Sequence, residues 1–219
     1  MKPLRILLAL LAFAAPLSAT AQTAPEPFAQ EIAAFAAADA KAMPAPGGVL
    51  FLGSSSIRLW TTLSEDFPGM AVLNRGFGGS TIPDSIRYAD RIVLPYKPKT
   101  IVFYAGDNDI EAGHAPSQVL ADFKALVRKV HGTLPRTRIL FIAIKPSIAR
   151  WSKIDRIAEA NRLVEAYIRT DKRLGYVDIV PAMLGPDGKP RPELLRADGL
   201  HMTAAGYAIW RDKVGAVLK

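Results

Sequence analysis

The chain has 219 residues, of which 50% are hydrophobic and 22% charged, and this balance is typical of a globular domain rather than a disordered chain. The absence of cysteine excludes disulfide bonds, thiolate metal sites and a lipid-modified N-terminal cysteine. The formal net charge is +8, but the basic residues form short pairs near predicted helix ends and no long run, so we expect no nucleic-acid partner.

The first 21 residues have the pattern of a secretory signal peptide. Lys2 and Arg5 give a positive start, residues 6–15 are apolar, and Ala19–Ala21 is a small-x-small cleavage site. The apolar run is shorter than the about 20 residues that a membrane-spanning helix needs, and no later stretch is long and apolar enough. We therefore expect cleavage before Gln22, no stable membrane insertion afterwards, and an exported protein, periplasmic or secreted.

The remainder divides into a short N-terminal region and one domain. Residues 22–47 comprise a proline- and alanine-rich linker and an alanine-rich helix predicted from Phe28 to Met43. Residues 48–219 show no internal repeat and form the single predicted domain.

Within this domain, short apolar runs alternate with helical patterns. The apolar runs predict five buried strands, at Val49–Leu52, Ala71–Asn74, Thr100–Ala105, Arg138–Ile144 and Tyr176–Val180. Helices are predicted near Ser56–Leu63, Pro83–Val93, Ser117–His131, Trp151–Arg173 and Thr203–Leu218. This alternation implies an α/β fold, a five-stranded parallel sheet with helices on both faces, that is, a three-layer α/β/α sandwich.

A polar or glycine-rich segment follows each predicted strand. In chain order these segments are GSSS, NRGFGGST, GDNDI, KPSIAR and, beyond a loop, ADGLHMT. Ligands of parallel sheets bind beyond the carboxyl ends of the strands, so all five segments are expected to face one crevice.

The three histidines and the serine triplet leave alternatives open when taken singly. His131 lies at a predicted helix end, where it can serve as a cap, and His114 lies in a loop without a fixed partner. Asp198 precedes His201 by three residues, so its carboxylate can orient the imidazole as a base; the alternative is a surface loop. Any serine of residues 54–56 can cap a helix, and any can be a nucleophile.

The glycine-rich and acidic segments are equally ambiguous. Gly79 lies in a turn that either needs a positive φ or presents an N–H to an oxyanion. Asn108 is either an amide donor to that oxyanion or part of an Asx-rich turn. Asp107, Asp109 and His114 nearby suggest a metal site with oxygen ligands as a further alternative. Independent loops rarely supply a nucleophile, two donors and an oriented base at one sheet edge, and this coincidence favours catalysis.

Taken together, these segments resemble the sequence blocks of the SGNH, or GDSL-type, esterase family over almost the whole domain. FLGSSS is similar to the first block, GFGGST to the second, GDND to the third and DGLH to the last. The resemblance implies a small flavodoxin-like sandwich with three catalytic residues, Ser55, Asp198 and His201. It also implies that the oxyanion hole is formed by Ser55, Gly79 and Asn108.

The sequence departs from the family pattern at Ser54, where the family commonly has aspartate. Members with Gly-Ser-Ser form a subtype, and IKPS resembles that subtype as well; no role is assigned to Lys145–Ser147 or Arg150.

The resemblance implies hydrolysis of carboxylic esters through an acyl-enzyme, without a metal or organic cofactor. The same residues can instead pass the acyl group to a glycan or lipid hydroxyl, as in an acyltransferase. A standard α/β-hydrolase is disfavoured because the chain has no GxSxG elbow. A metal-dependent hydrolase and a non-catalytic periplasmic carbohydrate-binding protein are the remaining alternatives. The ester substrate, whether small molecule, glycan or lipid, and the oligomeric state stay open.

Overall fold

The computed structural model describes residues 26–218, and the predicted signal peptide and residues 22–25 of the predicted linker lie outside them. The centre of the fold is a five-stranded, wholly parallel sheet in the order β2-β1-β3-β4-β5. Its strands are β1 Val49–Gly53, β2 Val72–Gly76, β3 Thr100–Tyr104, β4 Arg138–Ile142 and β5 Leu174–Val177. The predicted α/β sandwich with a five-stranded parallel sheet is confirmed.

The described residues form nine α-helices and three short 3₁₀ helices around this sheet. The α-helices are α1 Ala29–Lys41, α2 Ser55–Arg58, α3 Leu63–Asp66, α4 Ile82–Ile92, α5 Asp107–Glu111, α6 Pro116–Thr133, α7 Ile154–Ile168, α8 Val180–Met183 and α9 Ala204–Leu218. The 3₁₀ helices are Leu94–Tyr96, Trp151–Lys153 and Pro192–Leu194. None of the helices combines the length and apolarity needed to cross a bilayer.

Alternate residues of each central strand enter two separate cores, which accounts for the apolar runs in the sequence. Leu50 of β1 and Phe103 of β3 pack with residues of α4, α6 and α7 on one face. Phe51 and Tyr104, their strand neighbours, pack with Trp210 of α9 on the other face. Burial on both faces requires apolar side chains at every position, so a period-two pattern is absent.

Several predicted elements differ from the structure, among them the helix predicted at residues 151–173, which is a short 3₁₀ helix followed by α7 ending at Ile168. The helix predicted at residues 56–63 is two single-turn helices, α2 and α3, because Trp60 leaves the helix and packs into the core at 1% exposure. Strand β5 begins two residues before the predicted start, and Val180 at the predicted end already begins α8. Pro181 in the first turn of α8 suits a helix start and cannot donate to a sheet.

The N-terminal helix α1 belongs to the same core as the predicted domain. Its Ile32 is 1% exposed and lies among the residues of the core beside α4. Asp39 forms an ion pair with Arg75 of β2, and Glu31 accepts a hydrogen bond from the backbone N–H of Gly78 at 2.9 Å. Helix α1 therefore supports the glycine-rich loop that follows β2.

Candidate active site

The nucleophile candidate, Ser55, lies at the end of β1, where the chain turns sharply into α2. Gly53 closes the strand with φ +141°, and a Cβ there would lie 1.9 Å from the carbonyl oxygen of Tyr104. Only glycine fits this junction. Ser54 occupies the N-cap position of α2 but makes no capping hydrogen bond with its side chain. Ser54 and Ser56 are buried, whereas Ser55, the first helical residue, is partly exposed.

Three sequence-predicted residues, far apart in the chain, lie within hydrogen-bonding distance of one another. The Ser55 Oγ is 2.9 Å from the Nε2 of His201, and the His201 Nδ1 is 2.7 Å from the Oδ2 of Asp198. The three side chains are thus connected by two consecutive hydrogen-bonding contacts.

The loop of residues 194–203 holds Asp198 in a tight turn. The backbone N–H groups of Leu200 and His201 both donate to the Asp198 Oδ1 at 2.9 Å. The pKa of Asp198 is lowered to about 2, first by the hydrogen bond from the His201 ring and then by that from the Leu200 N–H. Asp198 is therefore an anion at neutral pH, and an anion on Nδ1 selects the imidazole tautomer with its proton there.

The predicted oxyanion donors lie on three neighbouring segments. Within residues 26–218 the backbone N–H groups of Ser55 and Gly79 have no hydrogen-bond acceptor. The Asn108 Nδ2 donates to the carbonyl oxygen of Ser80 at 2.9 Å, and the Ser80 Oγ donates to that of Gly53 at 3.4 Å. Ser80 thus joins the Asn108 segment to the end of β1.

Arg150, to which sequence analysis assigned no role, contacts the Asn108 side chain. Its Nη2 donates to the Asn108 Oδ1 at 2.8 Å, while its Nη1 lies 2.9 Å from the Asp107 Oδ2. The Ala149 N–H donates to the carbonyl oxygen of Gly199, which ties this segment to the Asp198 loop. The signal available in the sequence was the position of KPSIAR after β4.

A buried ionic cluster lies beneath Asn108. Lys145 is 1% exposed, and its Nζ lies 3.1 Å from the hydroxyl of Tyr104 and 3.3 Å from the Asp107 Oδ2. Burial lowers the pKa of Lys145, although Asp107 opposes the shift. Burial alone would raise the pKa of Asp107, but Lys145 and Arg150 outweigh it and hold that pKa below its ordinary value.

The predicted metal alternative, built on Asp107, Asp109 and His114, is wrong about Asp107. The structure turns Asp107 toward Lys145 and Arg150, which neutralise it. In the part of the chain that the structure describes, one group of side chains has metal-ligand proximity, and it contains Asp109, His114 and Asp122.

Comparison with known proteins identifies the family. The model of the GDSL-like Lipase/Acylhydrolase family matches residues 48–209. The chain belongs to this family. As a GDSL-type lipase/acylhydrolase it is a hydrolase of ester bonds, and the predicted family assignment is confirmed. No curated protein sequence gives a significant match to the chain.

Solved structures share the GDSL-type fold at low sequence identity. A Streptococcus pneumonia protein named for platelet activating factor has TM-score 0.77 and 19% identity, covering 87% of this chain and 92% of its own. A GDSL-like lipase of Bacteroides thetaiotaomicron has TM-score 0.72 and 18% identity, with coverages of 85% and 96%. A Bacteroides fragilis protein named as an acylhydrolase has TM-score 0.69 and 21% identity, with coverages of 87% and 93%.

Proposed function

We propose that this family member is an exported serine esterase of the Gly-Ser-Ser subtype that cleaves carboxylic esters through an acyl-enzyme. The observation that carries the proposal is the line from the Ser55 Oγ through His201 to Asp198, with contacts of 2.9 and 2.7 Å. This arrangement of nucleophile, base and orienting carboxylate suits acyl transfer.

In the proposed first step, the Ser55 Oγ attacks the ester carbonyl carbon while the His201 Nε2 accepts the hydroxyl proton. The ester C–O bond then breaks, and the imidazolium returns the proton to the departing alcohol. Water repeats the sequence on the acyl-serine, which releases the carboxylic acid and restores Ser55. Asp198 stays ionised throughout and stabilises the imidazolium.

The negative charge on the carbonyl oxygen requires donors that are already in place. We assign this role to the N–H groups of Ser55 and Gly79 and to the Asn108 Nδ2, whose second hydrogen is not used by Ser80. Loss of one such donor typically raises the barrier by about 3–4 kcal/mol. No step uses a metal or an organic cofactor.

An apolar groove of about 920 Å³ adjoins the Asp198 loop and is our candidate for the site of the acyl or alcohol group. Ile148, Trp151, Leu184 and Pro190 contribute to its lining. Ile148 also lies against Gly199, next to Asp198, so the groove shares a wall with the proposed catalytic loop. If it holds an acyl chain, Trp151→Ala should lower kcat/KM for octanoate esters more than for acetate esters.

The test is turnover of p-nitrophenyl acetate to octanoate together with labelling of the intact protein by a fluorophosphonate. Ser55→Ala and His201→Ala should lose turnover by about 10⁴-fold or more, and Ser55→Ala should lose the label. Ser56→Ala, in the adjacent buried serine, serves as the control and should keep both. Undiminished turnover in Ser55→Ala or His201→Ala, or a label on another residue, would contradict the assignment.

Export forms a separate part of the proposal and rests on the pattern of residues 1–21 alone. Expression of the full chain in a bacterial host, followed by N-terminal sequencing of the periplasmic fraction, should give a mature protein that starts at Gln22. An intact Met1 in a cytoplasmic protein would contradict export without affecting the proposed chemistry.

A further inference from the structure

A second cluster of ligand-type side chains lies next to the Asn108 segment and has no part in the proposed reaction. One nitrogen of His114 and one carboxylate oxygen each of Asp109 and Asp122 lie within 4.8 Å of one another. The three residues come from different elements: α5, the loop that follows it, and α6.

Independent evidence comes from the hydrogen bonding of the three side chains. Asp109 is fully buried, and its Oδ1 accepts the backbone N–H of Ile82 at 3.0 Å, but its Oδ2 has no partner. The Asp122 Oδ1 accepts from Gln118, whereas its Oδ2 is buried without a partner. The Nδ1 of His114 is also buried and unpartnered. Buried polar atoms are nearly always satisfied, and a bound ion is one arrangement that would satisfy all three atoms of this cluster at once.

The side chains around the cluster also favour a bound cation. Among the ion pairs of residues 26–218, none joins a lysine or arginine nitrogen to the carboxylate of Asp109 or Asp122 within 4.0 Å. The nearby Arg156 donates instead to the main-chain carbonyl oxygens of Gly113 and His114. Two carboxylates without a cationic partner favour binding of a cation.

We propose that Asp109, His114 and Asp122 bind one Zn²⁺ ion. Zinc accepts imidazole nitrogen and carboxylate oxygen together, whereas Ca²⁺ needs about six to eight oxygen ligands and Mg²⁺ keeps mostly water. Atoms bound to one tetrahedral zinc lie about 3.4 Å apart, so half-buried His114 and Asp122 need to move by about an ångström toward fixed Asp109. Water completes the coordination.

The consequence of such a site would be local rigidity. The ion joins the short helix α5, which carries Asn108, to the long helix α6. It takes no part in ester cleavage, so its loss is expected to affect stability before chemistry.

The experiment uses the full protein stripped with a chelator and titrated with zinc chloride. Calorimetry should show one ion per chain, and Tm should rise by about 5–10 °C at a hundredfold excess of zinc over its Kd. Calcium and magnesium chlorides should produce no comparable rise.

Variants locate the ion. His114→Ala and Asp122→Asn should abolish zinc binding and the rise in Tm, while fluorophosphonate labelling of Ser55 checks that they remain folded. Asp109 is not substituted because its Oδ1 also accepts a hydrogen bond from the backbone N–H of Ile82. His131→Ala and His201→Ala are matched controls and should bind zinc as the parent does.

Two results would overturn the proposal. One is a stripped protein that binds no zinc at millimolar concentration, which would leave a metal-free hydrogen-bonding cluster. The other is zinc binding that survives in both His114→Ala and Asp122→Asn, or disappears in His201→Ala.

Discussion

Arg150 and Asn108 form a hydrogen bond of 2.8 Å that fixes which way the asparagine amide faces. A guanidinium can only donate, so it must meet the amide oxygen, and the carbonyl of Ser80 can only accept, so it must meet the amide nitrogen. The two partners together exclude the flipped amide. The second hydrogen of Nδ2 is thereby free for the proposed oxyanion, and we expect Arg150 to act as a positioning residue.

Replacement of Arg150 by methionine is therefore expected to reduce kcat by about tenfold with little change in KM, because the interaction with Asn108 matters mainly when the oxyanion forms. Asn108→Ala should reduce kcat by about 10²–10³-fold. Steady-state kinetics on p-nitrophenyl acetate measures both.

A double-mutant cycle separates positioning from general destabilisation. In an Asn108→Ala background, Arg150→Met should have almost no further effect on kcat. Arg162→Met, which breaks an exposed ion pair with Glu159 on α7, is the control and should resemble the parent. Full additivity of Arg150→Met and Asn108→Ala would exclude action through the amide.

The second prediction concerns the pH dependence of kcat/KM and depends on the ionisation of Asp198. Because the pKa of Asp198 is lowered to about 2, the carboxylate stays ionised over the whole range in which an esterase is assayed. As pH falls toward 4, protonation of Asp198 should therefore contribute nothing to any decline of kcat/KM. The logarithmic profile should have a limiting slope of no more than one; a slope of two near pH 4 would show that Asp198 titrates as well.

Asp198→Asn tests the same interaction by substitution. The amide can hold the ring but favours the wrong tautomer, so kcat should fall by about 10⁴-fold at neutral pH. Asp155→Asn, at an exposed position of α7, should leave kcat unchanged. A loss of less than about tenfold in Asp198→Asn would mean that another group orients His201.

The buried ionic cluster gives a third prediction, for stability. Lys145→Met leaves Asp107 buried with Arg150 alone, and we expect the free energy of unfolding to fall by about 3–5 kcal/mol. Lys145→Met with Asp107→Asn should recover part of this loss, because no buried anion then lacks its partner. Lys129→Met, in the exposed pair with Asp90, should change stability by less than about 1 kcal/mol. Urea unfolding measures all three, and equal losses at Lys145 and Lys129 would contradict the argument.

The sequence predicted the sheet well because its signals are local. Each central strand is a continuous apolar run, and each is followed by a polar or glycine-rich segment at the edge where parallel strands end. The resemblance to the family blocks implied Ser55, Asp198 and His201 as the catalytic residues, and in the structure the three side chains lie within hydrogen-bonding distance.

The parts that were missed depend on tertiary contacts. Nothing local to Arg150 shows that it meets Asn108, since 42 residues separate them. The interruption between α2 and α3 follows from the burial of Trp60, whose ring packs against Tyr207 of α9. The metal alternative named Asp107 because of its sequence proximity to Asp109, but Lys145 and Arg150, on a different strand connection, determine where that carboxylate points.

The last prediction compares Gly53, where the backbone leaves no room for a side chain, with Gly132, where a side chain fits. Gly53→Ala should destabilise the fold by about 4 kcal/mol or more, because φ is +141° and the new Cβ would lie 1.9 Å from the carbonyl oxygen of Tyr104. The displacement would also move Ser55, so fluorophosphonate labelling should slow in whatever protein still folds. Gly132→Ala is the matched control: its Cβ meets nothing within 4 Å and its position lies inside α6. That variant, in the last turn of the helix, should lose no stability in urea unfolding and keep full labelling. A Gly53→Ala protein as stable and reactive as the parent would show that the strand–helix junction does not set the position of Ser55.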